Sequence, residues 1–352
     1  MRRLCLAISL LTATVVSGQT PCDRACLIST VDSYVAALVA HDPTRVALAK
    51  DAKFTEDEKV MSPGDGLWKT ISEGPTKFKV YVPDPLTGQV GFLGVFKARP
   101  VLLDGSISRS EFYPYLLALR LKVQGGQITE SEALVNRSMP LLGACESVPG
   151  EFKVTCELRR SHLPNLETVR PGLLATLSPA ERGTREQMLR IADSYYESIV
   201  RSDGNVAPYA DDCVRRENGV QTTSASPEQA SAAAALIARG NTDWVKLFGL
   251  SCAAQAGSKA LSYITSISRR VQIADPETGL VFALSMFRRP YVERTLKIVG
   301  VPGVDTMALD GTPSDRVWAH VFKISGGKLH EIEAMGAIDL PLNSKSGWED
   351  TP

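Results

Sequence analysis

The side chains best suited to chemistry lie on either side of a Gly-Gly pair near the end of the chain. His320 precedes Gly326-Gly327, and Glu331 and Glu333 follow it. Two residues that tolerate positive φ between alternating segments predict a β-hairpin with a two-residue turn. Counting outward from that turn pairs Phe322 with Glu331 and His320 with Glu333, and directly paired residues share one face of a sheet. A carboxylate beside an imidazole orients the ring and raises its basicity, so the second pair predicts general acid–base chemistry.

An earlier Gly-Gly pair indicates which face of this hairpin points inward. Gly125-Gly126 stands between two similar segments, and one face of the hairpin that it predicts is mostly apolar. That face consists of Leu117, Leu119, Leu121, Val123, Ile128, Glu130, Glu132 and Leu134. Because the apolar face of a sheet packs on the core, the equivalent residues His320, Glu331 and Glu333 are expected to point inward. Leu119 stands where the later hairpin has His320, so the C-terminal half is predicted to be the active one.

Other polar and aromatic residues are candidates for the same site. Glu217 is predicted to act as a second acid and Tyr195 as a polar contact to the substrate. The predicted walls of the pocket are Trp318, Phe322, Arg215, Tyr34 and Trp68. An alternative stays open, in which His320 is a hydrogen-bonded core histidine and the glutamates pair with buried arginines such as Arg215.

The sequence contains an internal repeat. This duplication predicts how the candidate residues are positioned. Asp32-Ser33-Tyr34 returns as Asp193-Ser194-Tyr195, and the segment 82–90 returns as 273–281 in the same order. A length of 352 residues suits two domains. The predicted organisation is a signal peptide (1–18), repeat one (22–137), a connector containing Pro and Cys (138–183), repeat two (184–340) and a flexible tail (341–352).

Each repeat opens with a predicted amphipathic helix and continues with strands. The apolar residues of these helices step by four, three and four, as a face that packs on a core requires. They are Leu27, Val31, Tyr34 and Leu38 in repeat one, and Met188, Ala192, Tyr195 and Ile199 in repeat two. Helices followed by a long series of strands predict an α+β fold for each repeat.

The N-terminus and the cysteines predict an exported protein. Arg2 and Arg3 precede a short apolar stretch over 4–16, which is typical of a cleavable signal peptide and too short to span a bilayer. The predicted location is therefore secreted or periplasmic, without a membrane anchor after cleavage. Six cysteines then remain, and their spacing favours the local disulfides Cys22–Cys26, Cys145–Cys156 and Cys213–Cys252. A metal site is the less favoured alternative, because neither CxxC nor HxxxH spacing occurs.

Composition and missing motifs narrow the classes of function. The formal net charge is zero, so no overall field favours nucleic acid or an anionic membrane. The sequence contains no GxSxG, P-loop, GxGxxG or HExxH motif, which argues against common serine hydrolases, nucleotide enzymes, Rossmann oxidoreductases and zincins. We therefore expect neither a cofactor nor a metal, and a small molecule as the ligand or substrate.

Several short segments of the sequence resemble a known family. They are Ala40-His41-Asp42-Pro43, Phe54-Thr55-Glu56, the segment 64–70 (GDGLWKT) and Arg215-Arg216-Glu217-Asn218-Gly219. With the α+β pattern, they make the chain similar to two tandem domains of the NTF2-like (SnoaL-like) superfamily, and closest to an exported bacterial and fungal family described as a domain of unknown function. At Asp57-Glu58 the chain departs from the Asn-Gly that this family tends to have.

The resemblance implies a curved sheet wrapped around helices to form a cone. It also implies that tyrosines such as Tyr195 polarise a carbonyl or hydroxyl group, and that domains pair through their sheets. The outward face predicted for repeat two, with Val317, Ala319, Val321, Ile332 and Ala334, is too apolar to remain exposed. We therefore expect the two repeats to form an intramolecular pseudo-dimer.

Three hypotheses for the function follow, and the first is preferred. A cofactor-independent lyase, dehydratase or isomerase would use His320 as a base oriented by Glu333, with Glu331 or Glu217 as an acid, and it requires a closed apolar pocket where these groups converge. A non-catalytic module that binds a small ligand or a protein requires His320 and Glu333 to be buried and saturated, with no cavity beside them. A hydrolase using carboxylate-activated water is the weaker alternative.

Overall fold

The computed structural model describes residues 22–99, 106–107, 113–137, 146–147, 154–155, 163–237 and 241–348. The helices are α1 (Arg24–Val39), α2 (Leu67–Thr70), α3 (Pro171–Leu174), α4 (Arg185–Arg201), α5 (Pro227–Ile237), α6 (Asp243–Phe248) and α7 (Cys252–Gly257). The strands are β1 (Leu48–Glu56), β2 (Lys59–Val60), β3 (Ile71–Glu73), β4 (Lys79–Asp84), β5 (Gln89–Ala98), β6 (Tyr113–Gln124), β7 (Gln127–Asn136), β8 (Glu146–Ser147), β9 (Val154–Thr155), β10 (Tyr209–Glu217), β11 (Val220–Gln221), β12 (Ser266–Asp275), β13 (Leu280–Arg289), β14 (Thr295–Lys297), β15 (Thr306–Ala308), β16 (Ser314–Ser325) and β17 (Lys328–Leu340).

In the first unit, a sheet packs on helix α1. The strand order is β2-β1-β7-β6-β5-β3, with β4 also paired to β5, and only β1 and β7 are parallel neighbours. Helix α1 begins at Asp23, whose carboxylate accepts a hydrogen bond from the Cys26 amide at 2.8 Å. Its apolar stripe, including Leu27, Val31 and Leu38, is buried against the inner face of the sheet. The periodic pattern of the sequence therefore produces the predicted core-facing helix.

The second unit repeats this arrangement. Its sheet has the order β11-β10-β17-β16-β13-β12, and β10 runs parallel to β17 as β1 does to β7. Helix α4 begins at Thr184, which accepts from the Gln187 amide, and ends where Ser202 takes a left-handed conformation. Helices α5 to α7 and the small sheet of β14 and β15 are additional to this frame. The predicted α+β fold, with two similar units that each pack a mostly antiparallel sheet on a helix, is confirmed.

A β-bulge changes the face on which the predicted acids lie. The Gly-Gly turn forms as predicted, but Lys323 pairs with Glu331, so His330 is the extra residue of the bulged strand. A shift of one residue moves the following side chains of β17 to the other face of the sheet, as far as a second register shift at Ala337. The two predicted pairs, Phe322 with Glu331 and His320 with Glu333, are therefore wrong, and the two glutamates lie on the outer face.

The same bulge occurs in the first unit, at Thr129. Arg120 lies opposite Glu132 and Lys122 opposite Glu130, all on the outer face. Glu130, Glu132 and Leu134 were expected on the inner face, and that expectation is wrong for the same reason. In the second unit the shift turns Ile332 and Ala334 inward, whereas Val317, Ala319 and Val321 lie outside as predicted.

The outer faces of the two sheets pack against each other. One apolar cluster contains residues of both units, among them Val80, Leu93 and Leu116 of the first, and Phe282, Leu284 and Val321 of the second. Gly91 of β5 lies so close to Phe282 of β13 that a Cβ atom at position 91 would stand 2.2 Å from the phenyl ring. A residue larger than glycine has no room at this point of the interface.

Reciprocal ion pairs connect the units at the start of each first helix. The Arg24 guanidinium lies 2.7 Å from Asp275, the last residue of β12. The Arg185 guanidinium lies 2.8 Å from Asp84, the last residue of β4. Arg24 and Arg185 hold equivalent positions in the two repeats, and so do Asp84 and Asp275. Each unit therefore presents the same pair of charges to the other, as in an isologous contact.

Segments that follow each sheet cross to the other unit. Arg170, in the connector, pairs with Glu331 and Glu333 of the second unit. Residues 341–348, expected to be a flexible tail, instead reach the first unit, where the Trp348 indole is buried and its Nε1 donates to Thr55 Oγ1 at 2.9 Å. The segment therefore closes one side of the space between the units.

Two disulfides are present in the described part of the chain. Cys22 is bonded to Cys26, and Cys213 to Cys252, as the local spacing predicts. The Cys145–Cys156 pair and the signal peptide over 1–18 lie outside the described residues. Within the ranges given above, no helix is long and apolar enough to cross a membrane.

Candidate functional site

His320 is sealed inside the cone of the second unit. The ring stacks on Phe287 and Phe322, and Nδ1 lies 3.1 Å from the Tyr196 hydroxyl and 3.4 Å from Ser285 Oγ. Burial, with a contribution from Arg215, lowers the pKa of His320 to about 3. The imidazole is therefore neutral at pH 7 and is held by a hydroxyl group rather than by a carboxylate.

The same cone contains a second polar group, centred on Arg215. The buried guanidinium donates to Thr222 Oγ1 at 3.0 Å and lies 3.0 Å from Glu217 Oε1. It also interacts with the Tyr195 hydroxyl, whose pKa is raised because the ring is fully buried. Of the residues predicted for the site, this cone brings together His320, Glu217, Tyr195, Arg215, Trp318 and Phe322.

Glu331 and Glu333 belong to a different cluster, on the outer face of the sheet. Glu331 accepts from Arg170 Nε at 2.7 Å, and Glu333 lies 2.8 Å from Nη1 of the same arginine. Glu333 has no exposed surface, and burial raises its pKa even though Arg170 opposes the shift. Neither acid can orient His320, because the sheet separates them from the imidazole.

The cones leave little free space. The cavity beside Tyr195 and Arg215 has a volume of about 10 Å³, and the one beside Tyr34 and Trp68 in the first unit about 20 Å³. A volume of this size holds about one water molecule. In the first unit, the Tyr34 hydroxyl is hydrogen-bonded to Ser131 at 2.8 Å, and burial raises its pKa to about 12. Among the described residues, the cavity beside Tyr195 and Arg215 is much smaller than the closed apolar pocket that an enzyme in repeat two requires.

Larger cavities lie in the cleft between the two units. The first has a volume of about 420 Å³ and takes residues from both units and from the C-terminal segment. Its walls are Thr87, Gln89, Arg120, Lys122, Glu130, Arg185, Leu189, Arg270, Val271, Gln272 and Trp348. We call it the polar chamber, because charged and amide side chains form most of its wall.

A second cavity, of about 320 Å³, lies along the edge strand β12. Its walls are Glu58, Ser268, Arg269, Arg270, Gln272, Leu284, Ser285, Met286, Ser346 and Trp348. We call it the apolar chamber, because Leu284, Met286 and Trp348 contribute hydrocarbon and aromatic surface. Arg270, Gln272 and Trp348 line both cavities, so the two chambers are adjoining parts of one cleft.

A buried charge network supports the wall between the chambers. Glu132 accepts from Arg120 Nε at 2.9 Å and from Arg270 Nη1 at 2.8 Å, so that this one carboxylate connects the two units. The Trp348 ring lies 4.6 Å from the Arg120 guanidinium and 5.6 Å from that of Arg270. Lys53 approaches the same ring to 4.3 Å. Three cations around one aromatic ring hold the C-terminal segment in the cleft.

Residues 181–336 match the model of a family described as "Domain of unknown function (DUF8021)". The matched residues span the second unit from before α4 into β17. No curated protein matches this chain.

Solved structures match about a third of this chain. AclR of Streptomyces galilaeus is 15% identical, over 34% of this chain and 95% of its own, with a TM-score of 0.28. A protein with a ketosteroid isomerase-like fold from Catenulispora acidiphila is 16% identical, over 32% and 88%, with a TM-score of 0.25. An NTF2-like protein from Burkholderia thailandensis is 18% identical, over 31% and 88%, with a TM-score of 0.23. At these identities the likeness concerns the fold alone.

The residues of the cleft carry no motif in the sequence. They come from eight separate segments, and Trp348 lies in a stretch whose sequence predicts a flexible tail. One signal was available: Arg120 and Lys122 alternate with leucines, and Glu130 and Glu132 have the matching spacing on the next strand. These opposite charges can lie directly opposite each other only if one residue is left out of the pairing. In the structure this residue is Thr129, at the β-bulge.

Proposed function

We propose that this protein is a non-catalytic binding module for a small ligand, and that the ligand lies in the cleft between the two units. The observation that carries the proposal is the distribution of space. The cavities inside the cones have volumes of about 10 and 20 Å³, whereas the chambers of the cleft have about 420 and 320 Å³. Ligand pockets of small molecules occupy about 300–1,000 Å³, so the chambers have the right size.

The state of His320 supports a binding role over acid–base chemistry in the second cone. A general base works best with a pKa near the operating pH, whereas the pKa of His320 is lowered to about 3. The acids meant to orient it, Glu331 and Glu333, pair with Arg170 on the other side of the sheet. The burial of His320 and Glu333 supports the binding-module hypothesis, which requires both side chains to be buried.

In this proposal the two units act as an intramolecular pseudo-dimer that builds one cleft. The reciprocal pairs Arg24–Asp275 and Arg185–Asp84 support it, because each unit uses equivalent charges toward the other. The two disulfides, Cys22–Cys26 and Cys213–Cys252, favour an exported protein, since such bonds persist in oxidising compartments.

A ligand screen with two classes of variant tests the proposal. Thermal-shift and turnover assays on a library of small acids, phenolics, lactones and sugars would use wild type, Ser268→Trp in the cleft and His320→Leu in the cone. We expect hits that Ser268→Trp abolishes and His320→Leu retains, without turnover. Hits that depend on His320 and not on Ser268, or no hits at all, would contradict the proposal.

Acid–base catalysis in the second cone is the second candidate, and one observation favours it. Tyr195, Arg215 and Glu217 form a connected polar group beside His320, and the Glu217 side chain is 26% exposed at the rim. If the cone opens on binding, this group has the donors and the carboxylate for a lyase, a dehydratase, an isomerase or a water-activating hydrolase. Turnover of any hit that is lost in Glu217→Gln, but retained in Ser268→Trp, would establish this candidate instead.

A further inference from the structure

The two repeats present equivalent surfaces to each other, and the connector covers one of them. In the second unit, Lys323 donates to the carbonyl oxygen of Ala175 at 2.8 Å, Glu331 accepts from Arg170, and Glu333 forms an ion pair with the same arginine. Both Ala175 and Arg170 belong to the connector. The surface of the second unit that corresponds to the polar chamber is therefore filled by the protein's own chain.

The corresponding surface of the first unit is open. Lys122 and Glu130 hold the positions of Lys323 and Glu331, but they bond to each other at 2.9 Å and line the polar chamber. The C-terminal segment covers only one side of this surface, with Trp348. The duplicated fold thus contains two equivalent positions for an occupant, of which the chain itself fills one.

The open surface of the first unit also differs in charge from the covered surface of the second unit. Where the second unit has Val321, the first has Arg120, and where the first has Lys79, the second has Arg270. Both arginines point at Glu132, so its charge is already compensated and no arginine from an occupant is needed. The covered surface instead binds Arg170, a cation.

Counting the charges that line the polar chamber and their ion-pair partners gives an excess of one cation; Glu58, which also interacts with Arg270, lines the apolar chamber instead. The cationic side chains that line it are Arg120, Lys122, Arg185 and Arg270. Among the described residues, the carboxylates paired with them are Glu130, Glu132 and Asp84. Four cations against three carboxylates suit a ligand with one negative charge, and the partly exposed Lys122 and Arg185 are placed to meet it.

We propose that the cleft binds one molecule, per chain, of an organic anion that places its single acidic group in the polar chamber and an apolar body in the apolar chamber. This inference rests on the proposed function, and it adds the chemical class of the ligand and the stoichiometry. Leu284, Met286 and Trp348 provide the apolar surface next to Arg270. Within the described part of the chain, connector residues occupy the equivalent position in the second unit, so the inference gives one site per chain.

Octanoate, octan-1-ol and octylamine are matched probes for this site, since they share a chain and differ in charge. Isothermal titration with wild type should give one site for octanoate and affinity at least about tenfold weaker for the alcohol and the amine. The affinity for octanoate should fall as salt rises, because the contact is electrostatic. Equal affinities for the acid and the alcohol, or two equivalents of octanoate, would overturn the inference.

Two pairs of variants locate the two ends of the ligand. Lys122→Gln should weaken octanoate binding about fivefold, whereas Lys69→Gln, an exposed lysine far from the cleft with the same change of charge, should not. Ser268→Trp should block the apolar chamber, whereas Ser266→Trp, two residues earlier on the same strand, should not. Equal effects within either pair would contradict the assignment of that chamber.

The outcomes separate this inference from the proposed function. If library ligands bind and Ser268→Trp abolishes their binding, but octanoate does not bind, the ligand class is wrong and the binding module stands. If no library ligand binds at the cleft, the proposed function itself fails. Octanoate binding that responds to Lys122→Gln and Ser268→Trp, at one molecule per chain, supports both.

Discussion

Replacement of Glu132 by glutamine tests the connection between the two units. Its side chain is 1% exposed and accepts from Arg120 of its own unit and Arg270 of the other. Removing one member of a buried ion pair costs about 3–5 kcal/mol, because the partner charge is left uncompensated. Glutamine keeps one carbonyl oxygen as an acceptor, so we expect the lower end, a loss of about 3 kcal/mol in the free energy of unfolding.

The matched control is Glu130→Gln, two residues earlier on the same strand and face. Glu130 is 16% exposed and pairs with Lys122, which is 28% exposed, and with the buried Arg120, which keeps Glu132 as a partner when Glu130 is replaced. The loss of the Glu130 carboxylate should cost about 1 kcal/mol. A difference of about 2 kcal/mol between the two variants corresponds to roughly a thirtyfold difference in the equilibrium constant for unfolding.

Urea titrations followed by circular dichroism and tryptophan fluorescence would measure both variants at pH 7. The double variant Glu132→Gln/Arg270→Gln should lose less stability than the sum of the two single variants, because it removes the uncompensated guanidinium as well. If Glu132→Gln is within about 0.5 kcal/mol of Glu130→Gln, or the cycle is additive, then the buried carboxylate does not couple the units.

Three further predictions address the cone, the disulfides and the interface. Because the pKa of His320 falls from 6.5 to about 3 on folding, its neutral form stabilises the protein above pH 6.5 and that contribution is lost as the pH falls toward 3. Between pH 7 and pH 5, the free energy of unfolding from urea titrations should therefore fall by about 2 kcal/mol more in wild type than in His320→Leu. Parallel pH profiles of the two proteins would contradict this. Replacing both cysteines of Cys213–Cys252, which are 39 residues apart, should lower the free energy of unfolding by about 4 kcal/mol. The same change at Cys22–Cys26, with a separation of 4, should lower it by about 2 kcal/mol. Similar losses for the two pairs would refute the loop-entropy argument. Gly91→Ala should lower the free energy of unfolding by about 1–3 kcal/mol, because the added methyl group forces Phe282 aside. Gly257→Ala, whose Cβ would meet nothing closer than 3.5 Å, should stay nearer to wild type in thermal denaturation.

The internal repeat was the feature of the sequence with the most predictive value. The amphipathic spacing of Leu27, Val31 and Leu38 gives α1, and the same spacing later in the chain gives α4. The alternation on either side of Gly125-Gly126 gives the hairpin of β6 and β7. These features are local, so a single sequence contains the physical information that they need.

The register of the hairpins could not be predicted by counting residues from the turn. The bulge at His330 is determined by where β17 pairs with its neighbours, Tyr209 with Leu329 and Val214 with Glu331, and that pairing spans more than a hundred residues. The cleft was also beyond prediction, because Arg120, Arg270 and Trp348 meet only when both units and the tail are in place. Non-local contacts of this kind have no periodic signal in the sequence.

The contact of Gly91 with Phe282 joins two positions that the repeat makes equivalent, since each stands one residue after the matched segments 82–90 and 273–281. In a symmetric dimer of single units, the same residue would occupy both sides. Two phenylalanines would compete for one space, and two glycines would leave it empty. The chain has a knob on one half and a hole on the other, so neither half is a suitable partner for a copy of itself. The two repeats have thus diverged into complementary partners, and each half fits the other better than a copy of itself.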